Sequence, residues 1–444
     1  MNTLPTARTI FVVLEFPCPT SNRTLDKAHP RTTILRMQRK LLRCFLAGLI
    51  FPLTAGAADA PRLTGAGCEQ FGFDFYRKLS ATEPYQLATD ANVAISPLSL
   101  ASVLQAFRLG ASGKAEQELS RALDFRGPLA GKLAGALKPS DLNIKSVEFC
   151  VGNSLWVDKR FELKSGFVKS TKKQLDAAMF PADFTQPDKV ANRINLWISD
   201  HTAGHIKDLV TPASVKNASL AVANAVYFKA EWDKPFDAAK TKEELFHLAS
   251  GKTVEVSMMN KVAECRYAEQ DGVKILELPY AGREVSMLLM LPAPGAKGWE
   301  AMEATLTAED GHLFGWTVGA LENRTVTVKV PRWKITCKPP NCISVLKSMG
   351  VERLFKSSWD FTGISDQGPL YVNVFMHRTW MEVNEKGTEA TAATLAVMLT
   401  AGVPQQSKAA VFIADRPFLF VIRHNATGTP LFVGRVSNPS AKQP

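Results

Sequence analysis

Two histidines four apart, His201 and His205, are the first residues whose spacing could do chemistry, since a helix would turn both imidazoles to one face and begin a zinc site. Ala203 and Gly204 between them weaken such a helix, and no acid stands where an HExxH pair needs its general base. The turn Gly110-Ala111-Ser112-Gly113 lacks the G-x-S-x-G spacing that exposes a hydrolase nucleophile, and Gly65 and Gly67 open no complete G-x-G-x-x-G. A Ser, a His and an Asp can converge in space from distant positions, but no spacing here argues for it. None of these patterns reaches a resident metal, a cofactor or a catalytic site, and the reading is of a protein that is not an enzyme.

A different kind of chemistry is implied between Glu385 and Gln406, where the chain reads EKGTEATAATLAVMLTAGVPQQ. No aromatic residue occurs there, and Thr388, Ala390, Ala392 and Thr394 are small at alternate positions. In a strand those four would share one face while Glu389, Thr391 and Ala393 took the other. Such a segment could slip between two existing strands without striking what lies beneath. It is also too polar and too poor in large side chains to hold itself down, so a flexible connection and a strand both remain open.

The elements that must position this segment follow from periodicity. Helical spacing dominates the front, in Phe71, Phe75 and Leu79, in Ala115, Leu119 and Leu123, and in Val190, Ile194, Trp197 and Ile198. Ser96 before Pro97 gives an N-cap and a first-turn proline, after which Leu98, Ala101, Leu104 and Phe107 keep one face until Gly110. From about residue 219 the pattern turns to period two and to apolar runs, as in Val326, Val328 and Val330, in Val285–Leu291, in the long run Leu370–Val383, and in Pro417–Ile422 and Pro430–Val436. No repeat or low-complexity linker divides the chain. One mixed α+β domain is expected over 61–444.

Residues 37–60 read as a secretory signal peptide, with Arg39, Lys40 and Arg43 ahead of the apolar run Cys44–Leu53 and small residues from Ala55 to Ala58. That run is too short to span a bilayer, so no membrane anchor is expected and the product should be secreted, extracellular or periplasmic. Residues 1–36 precede a Met that already opens this signal and fit an over-long gene start. The net charge of +11 falls to +6 once residues 1–60 are set aside, and the basic residues that remain are scattered rather than gathered on a stripe, which argues against a nucleic-acid partner. Five cysteines are left, Cys68, Cys150, Cys265, Cys337 and Cys342, an odd number without zinc-ligand spacing. Pro339 and Pro340 favour a turn between Cys337 and Cys342, where a disulfide and two free thiols stay open as alternatives.

Along the chain stand NVAISPLSLA from Asn92, GASGKAEQEL from Gly110, INLWI from Ile194 and ANAVYFKAEWDKPF from Ala223. They are followed by LPY at Leu278, VPRWKI from Val330, FTGIS from Phe361, NEKGTEATAAT from Asn384, DRPFLFVIRH from Asp415 and PLFVGRVSNP from Pro430. In these motifs and in their order, the chain from Cys68 to Pro439 resembles the serpin family of serine peptidase inhibitors.

The resemblance implies a serpin fold of three β-sheets and about nine helices, acting as a monomer, with a central sheet that opens to take in an exposed reactive-centre loop as an added strand. That loop would be about 386–408. Its hinge would comprise Gly387, Thr388, Glu389, Ala390, Thr391, Ala392 and Ala393. The family's spacing of about seventeen positions from Glu385 puts the reactive bond between Ala401 and Gly402, with Leu399 or Thr400 as alternatives if the register slips. A short side chain before the cut suits an elastase-like serine peptidase, and the lack of Lys or Arg between Lys386 and Lys408 argues against a trypsin-like one. Ser96, Ser99, Asn224 and His377 match the family's gate on sheet opening, Glu385 and Arg332 its ion pair where the loop first enters, and Trp232 the aromatic residue below. A heparin-type site is not implied, because 126–146 holds only Arg126, Lys132, Lys138 and Lys145, well spread. The competing reading is a non-inhibitory serpin, a carrier, chaperone or peptidase substrate, whose hinge would tend to carry bulky or charged residues.

Overall fold

Ser96 and Pro97 start a helix as their types dictate. The Ser96 hydroxyl accepts from the Ser99 backbone N–H, Pro97 fills the first turn, and the helix runs Pro97–Gly110. It is one of eight α-helices among the described residues of this computed structural model, which are 66–123, 144, 147–305, 319–388 and 409–441. They are α1 (Ala66–Ser80), α2 (Pro97–Gly110), α3 (Gly113–Ala122), α4 (Ser165–Leu175), α5 (Pro187–His201), α6 (Pro212–Val215), α7 (Ala296–Thr305) and α8 (Cys342–Ser348). The leader 1–60 and the greater part of the segment after Thr388 lie outside the described residues.

Helices α1 and α5 each bury one stripe, through Phe71, Phe75 and Leu79 and through Val190, Ile194 and Ile198. Helix α2 is different. Leu98, Ala101, Leu104 and Phe107 are buried, and so are Ser99, Ser102 and Gln105, because this helix packs against strands of both sheet ladders.

The central sheet runs in the order β10 (Trp333–Cys337), β11 (Val374–Asn384), β12 (Gly387–Thr388), β4 (Leu220–Glu231), β2 (Glu148–Asp158) and β3 (Ala177–Ala182). It separates two cores by simple alternation along β4. Leu220, Val222, Val226 and Phe228 face the large core around α1 and α2, whereas Ala221, Ala223, Ala225 and Tyr227 face a smaller one under α5. The second ladder runs β1 (Val93–Ile95), β15 (Pro430–Val436), β14 (Phe418–His424), β8 (Val285–Leu291), β7 (Val273–Pro279), β6 (Thr253–Gln270), β9 (Glu322–Pro331) and β13 (Ala410–Ile413), with β5 (Lys242–His247) added to β6. Strand β6 pairs with β5 over Thr253–Met258, with β9 over Met258–Tyr267 and with β7 over Arg266–Gln270, so it passes from one blade to the next. Divided there, the ladder and the central sheet make the three sheets of the α+β expectation.

One part of the expected layout is corrected. Strands β1, β2 and β3 lie among the front helices, where helical spacing dominates the sequence. The middle of β2 is Gly152-Asn153-Ser154, which hides its strand character. A Cβ at Gly152 would sit 3.3 Å from Trp197 and His201 of α5, and Asn153 is taken up by a buried polar cluster. The run from Leu370 to Val383, long for one strand, is divided: Leu370 bridges Ser358, the Val372 N–H donates to the Leu354 carbonyl, and β11 begins at Val374.

The five cysteines carry free thiols, including Cys337 and Cys342, and burial pushes Cys342 up to about 12. His201 ends α5 while His205 lies beyond it, past a turn at Ala203 and Gly204, so the two imidazoles do not share a helical face.

Candidate functional site

Strands β4 and β11 pair in parallel from Ala221↔Val374 to Tyr227↔Trp380. Above that rung they part, and β12 lies between them. Gly387 and Thr388 pair antiparallel with Asn384 and Val383 of β11 on one side and with Glu231 and Ala230 of β4 on the other. The start of the segment singled out in the sequence is thus already a strand within the central sheet. Of the residues assigned to the hinge, Gly387 and Thr388 are described; Glu389, Ala390, Thr391, Ala392 and Ala393 lie outside the described residues, as do Leu399, Thr400, Ala401 and Gly402.

Each residue of β12 is suited to its place. Gly387 has φ +156°, and a Cβ there would come within 2.0 Å of the Ala230 carbonyl oxygen, so the backbone of β4 leaves room for glycine alone. Thr388 is fully buried, and its hydroxyl shares a 2.8 Å hydrogen bond with the Tyr280 phenol. The Trp232 ring stacks on Tyr280 at 4.5 Å and 11°, its indole N–H donates to the Asn384 carbonyl at 3.0 Å, and its backbone N–H donates to Lys386 at 2.7 Å.

The turn before β12 is held by charge. Arg332 Nε donates to both oxygens of Glu385 at 2.8 and 2.9 Å, and the Thr241 hydroxyl donates to the same carboxylate. Burial alone would raise the Glu385 carboxyl, but the hydrogen bonds from Arg332 and Thr241 outweigh it and hold the group below the usual carboxylate range. The Phe236 N–H donates to the Glu385 carbonyl at 2.8 Å.

Lower in the sheet, on the α2 side, a polar row crosses three strands. His377 of β11, Asn224 of β4 and Asn153 of β2 are register partners, and Ser96 and Ser99 meet them from the start of α2. The Ser96 N–H donates to His377 Nε2 at 3.2 Å, so the ring proton sits on Nδ1 and is donated to Asn224 Oδ1. Asn224 Nδ2 donates in turn to Ser99 Oγ at 2.6 Å and to Asn153 Oδ1, and the Ser99 hydroxyl donates to Asn153 Oδ1 at 3.0 Å. Burial lowers His377 to about 3, so it is neutral across the physiological range.

Asn153 was missed by sequence reasoning, because Gly152 and Ser154 on either side break the apolar pattern against which a buried polar residue would show. Tyr280 and Thr241 were missed too. Each reaches the site from a distant part of the chain, and although Tyr280 closes the LPY motif at Leu278, nothing local ties either residue to Thr388 or Glu385.

Comparison with known proteins agrees with this architecture. The family model described as Serpin (serine protease inhibitor) matches residues 66–439. A serine protease inhibitor of Cyanea capillata is 33% identical over 85% of this chain and 99% of its own, and the leukocyte elastase inhibitor of Sus scrofa is 33% identical over 83% and 98%. Among solved structures, Serpin48, a highly specific serpin of the insect Tenebrio molitor, has a TM-score of 0.74 at 27% identity, covering 84% of this chain and 98% of that one. Human thyroxine-binding globulin has a TM-score of 0.73 at 24% identity over 85% and 99%, a likeness of fold alone. The chain belongs to the serpin family.

Proposed function

We propose that this protein is a secreted inhibitor of serine peptidases that acts as a suicide substrate. The observation that carries the reading is β12. Two residues of the expected loop already pair with both strands between which the rest would have to insert. A peptidase attacking near Ala401–Gly402 forms an ester between its serine and the residue before the cut, releasing the new amine on the far side. Water would normally hydrolyse that ester. In this reading the freed segment first lengthens β12 down the seam between β4 and β11 and drags the tethered enzyme with it, so that hydrolysis fails.

The energy is adequate. About a dozen inserted residues make roughly ten to thirteen new backbone hydrogen bonds worth roughly 0.5 to 1.5 kcal/mol each, or roughly 5 to 20 kcal/mol. The buried row from Ser96 and Ser99 to Asn224 and His377 opposes the opening, because His377 and Asn224 are partners across the seam and would lose each other. The pair of Glu385 and Arg332 fixes the turn from which β12 would grow. Similarity to a leukocyte elastase inhibitor and the short Ala401 side chain favour an elastase-like target. The stretch 37–60, read as a signal peptide, favours a site of action outside the cytoplasm.

Incubation of the full chain with a panel of serine peptidases, followed by denaturing electrophoresis, tests the reading. An inhibitor yields a band at the summed mass of both proteins, with mass spectrometry locating the cut near Ala401. A nicked chain without that band would make the protein a non-inhibitory serpin instead.

A further inference from the structure

The face of the central sheet opposite the polar row carries a second contact across the seam, and it involves one of the two histidines four apart, His205. His201 remains on α5, stacked on Trp197 at 3.9 Å. Beyond it the chain turns through Ala203 (φ +48°) and Gly204 (φ +76°), with the Gly204 N–H donating to the Ser199 carbonyl and the His205 N–H to that of Thr202. This turn lays the His205 ring on the sheet. It stacks on Tyr227 of β4 at 4.5 Å and 5°, and it lies 4.5 Å from Trp380 of β11 at 40°. Tyr227 and Trp380 are register partners 5.5 Å apart, the last pair before the strands part around β12. Lys334 stands over the Trp380 ring at 5.1 Å.

One imidazole therefore touches both banks of the seam at the rung where it begins to open. Thr388 stands opposite Ala230 and Val383. Continued in that register, residue 391 comes to lie between Tyr227 and Trp380. Neighbouring strands are about 4.8 Å apart, so an inserted strand roughly doubles the distance between β4 and β11. A single ring cannot then keep both contacts.

We propose that His205 is an aromatic clasp on the seam, which holds the uncut sheet closed and must release one strand before the loop can insert. The proposal rests on the insertion mechanism above. His205 acts as a positioning residue, through Tyr227 and Trp380. Its effect belongs to the uncut form, because only there are both contacts made.

The test compares full-length wild type, His205→Ala, His205→Gln and His205→Phe, each uncut and each nicked in the loop by a peptidase that forms no stable complex. Alanine should lower the melting temperature of the uncut chain by about 2–4 °C and speed its conversion on warming to a urea-resistant form about tenfold, as expected for two lost ring contacts. The nicked form should stay within about 1 °C of nicked wild type. Glutamine, polar and of similar reach but without a ring, should behave as alanine, and phenylalanine should restore the wild-type values. Equal losses in uncut and nicked chains, or no loss in either, would overturn the clasp while leaving the insertion mechanism standing. If wild type gains no stability on nicking, the mechanism itself falls, and the clasp with it.

Discussion

Thr388 and His377 are both buried, and the proposed mechanism gives them opposite parts. Thr388 lies on the strand expected to grow, with its hydroxyl against Tyr280 in a space that admits a small polar side chain. An arginine there would have to bring its charge into the core, so insertion should stall at its first step. Thr388→Arg should still be cut by the target peptidase while the covalent band falls at least about tenfold against wild type, the ratio of complex to nicked chain being the readout. His377 is a fixed feature of the closed sheet, and its prediction concerns pH. In the folded chain it titrates near 3, against about 6.5 when unfolded, so between those values the unfolded chain binds the extra proton. Stability should be fully present above about pH 6.5 and fall by about 1.4 kcal/mol per unit as pH drops towards 3. Urea unfolding of wild type and His377→Gln across that window checks the slope, which should be shallower in the variant by the contribution of one group.

Glu385 has its own window. Its folded carboxyl is held below the usual range, so its contribution is present above the ordinary carboxylate pKa and lost as pH falls through the lower folded value. The gap in melting temperature between wild type and Glu385→Gln should therefore be widest near neutrality and close in acid. At this scale the sequence showed some residues and hid others for a plain reason. Gly387 and Thr388 belong to the segment of small residues, and Glu385 and Arg332 stand out only through the resemblance to the family, whereas Asn153, Thr241 and Tyr280 acquire their roles from partners 71, 144 and 108 positions away.

Among the elements, α2 was read most closely, because a serine cap and a first-turn proline are local signals and the structure keeps both. What its sequence did not reveal is that the helix is buried on nearly every side, which gives its polar residues very different surroundings. Ser99 joins the polar row, and Ser102 returns its hydroxyl to the Leu98 carbonyl at 2.8 Å. Gln105 is fully buried, with neither amide atom hydrogen-bonded among the described residues. Leaving such a group unsatisfied costs about 1–3 kcal/mol, so Gln105→Leu should stabilise the uncut protein by an amount of that order, read from the urea midpoint. Strand β2 was lost for the converse reason. Its central Gly152 and Asn153 answer to α5 above and to the polar row below, and both demands erase the apolar alternation by which a strand is known.

For the whole molecule the decisive asymmetry lies between the two ladders. Strands β14 and β15 are buried throughout and pair antiparallel with their neighbours, so they offer no gap for another strand. The central sheet is joined across its middle by the parallel contact of β4 and β11, and that contact ends where β12 begins. A seam of this kind can part while β10 stays with β11, and β2 and β3 stay with β4. Cleavage in the loop should therefore stabilise the molecule unevenly. With roughly 5 to 20 kcal/mol released, the melting temperature of a domain this size should rise by roughly 6–25 °C. Hydrogen exchange should place the gain: amides of β4 from Ala221 to Tyr227 and of β11 from Val374 to Trp380 should become more protected after nicking, whereas those of β14 and β15 should move only with the global stability. A uniform gain across both ladders would mean that nicking tightens the whole fold without adding a strand at the seam. The energy of the proposed trap would then have to come from somewhere other than β12.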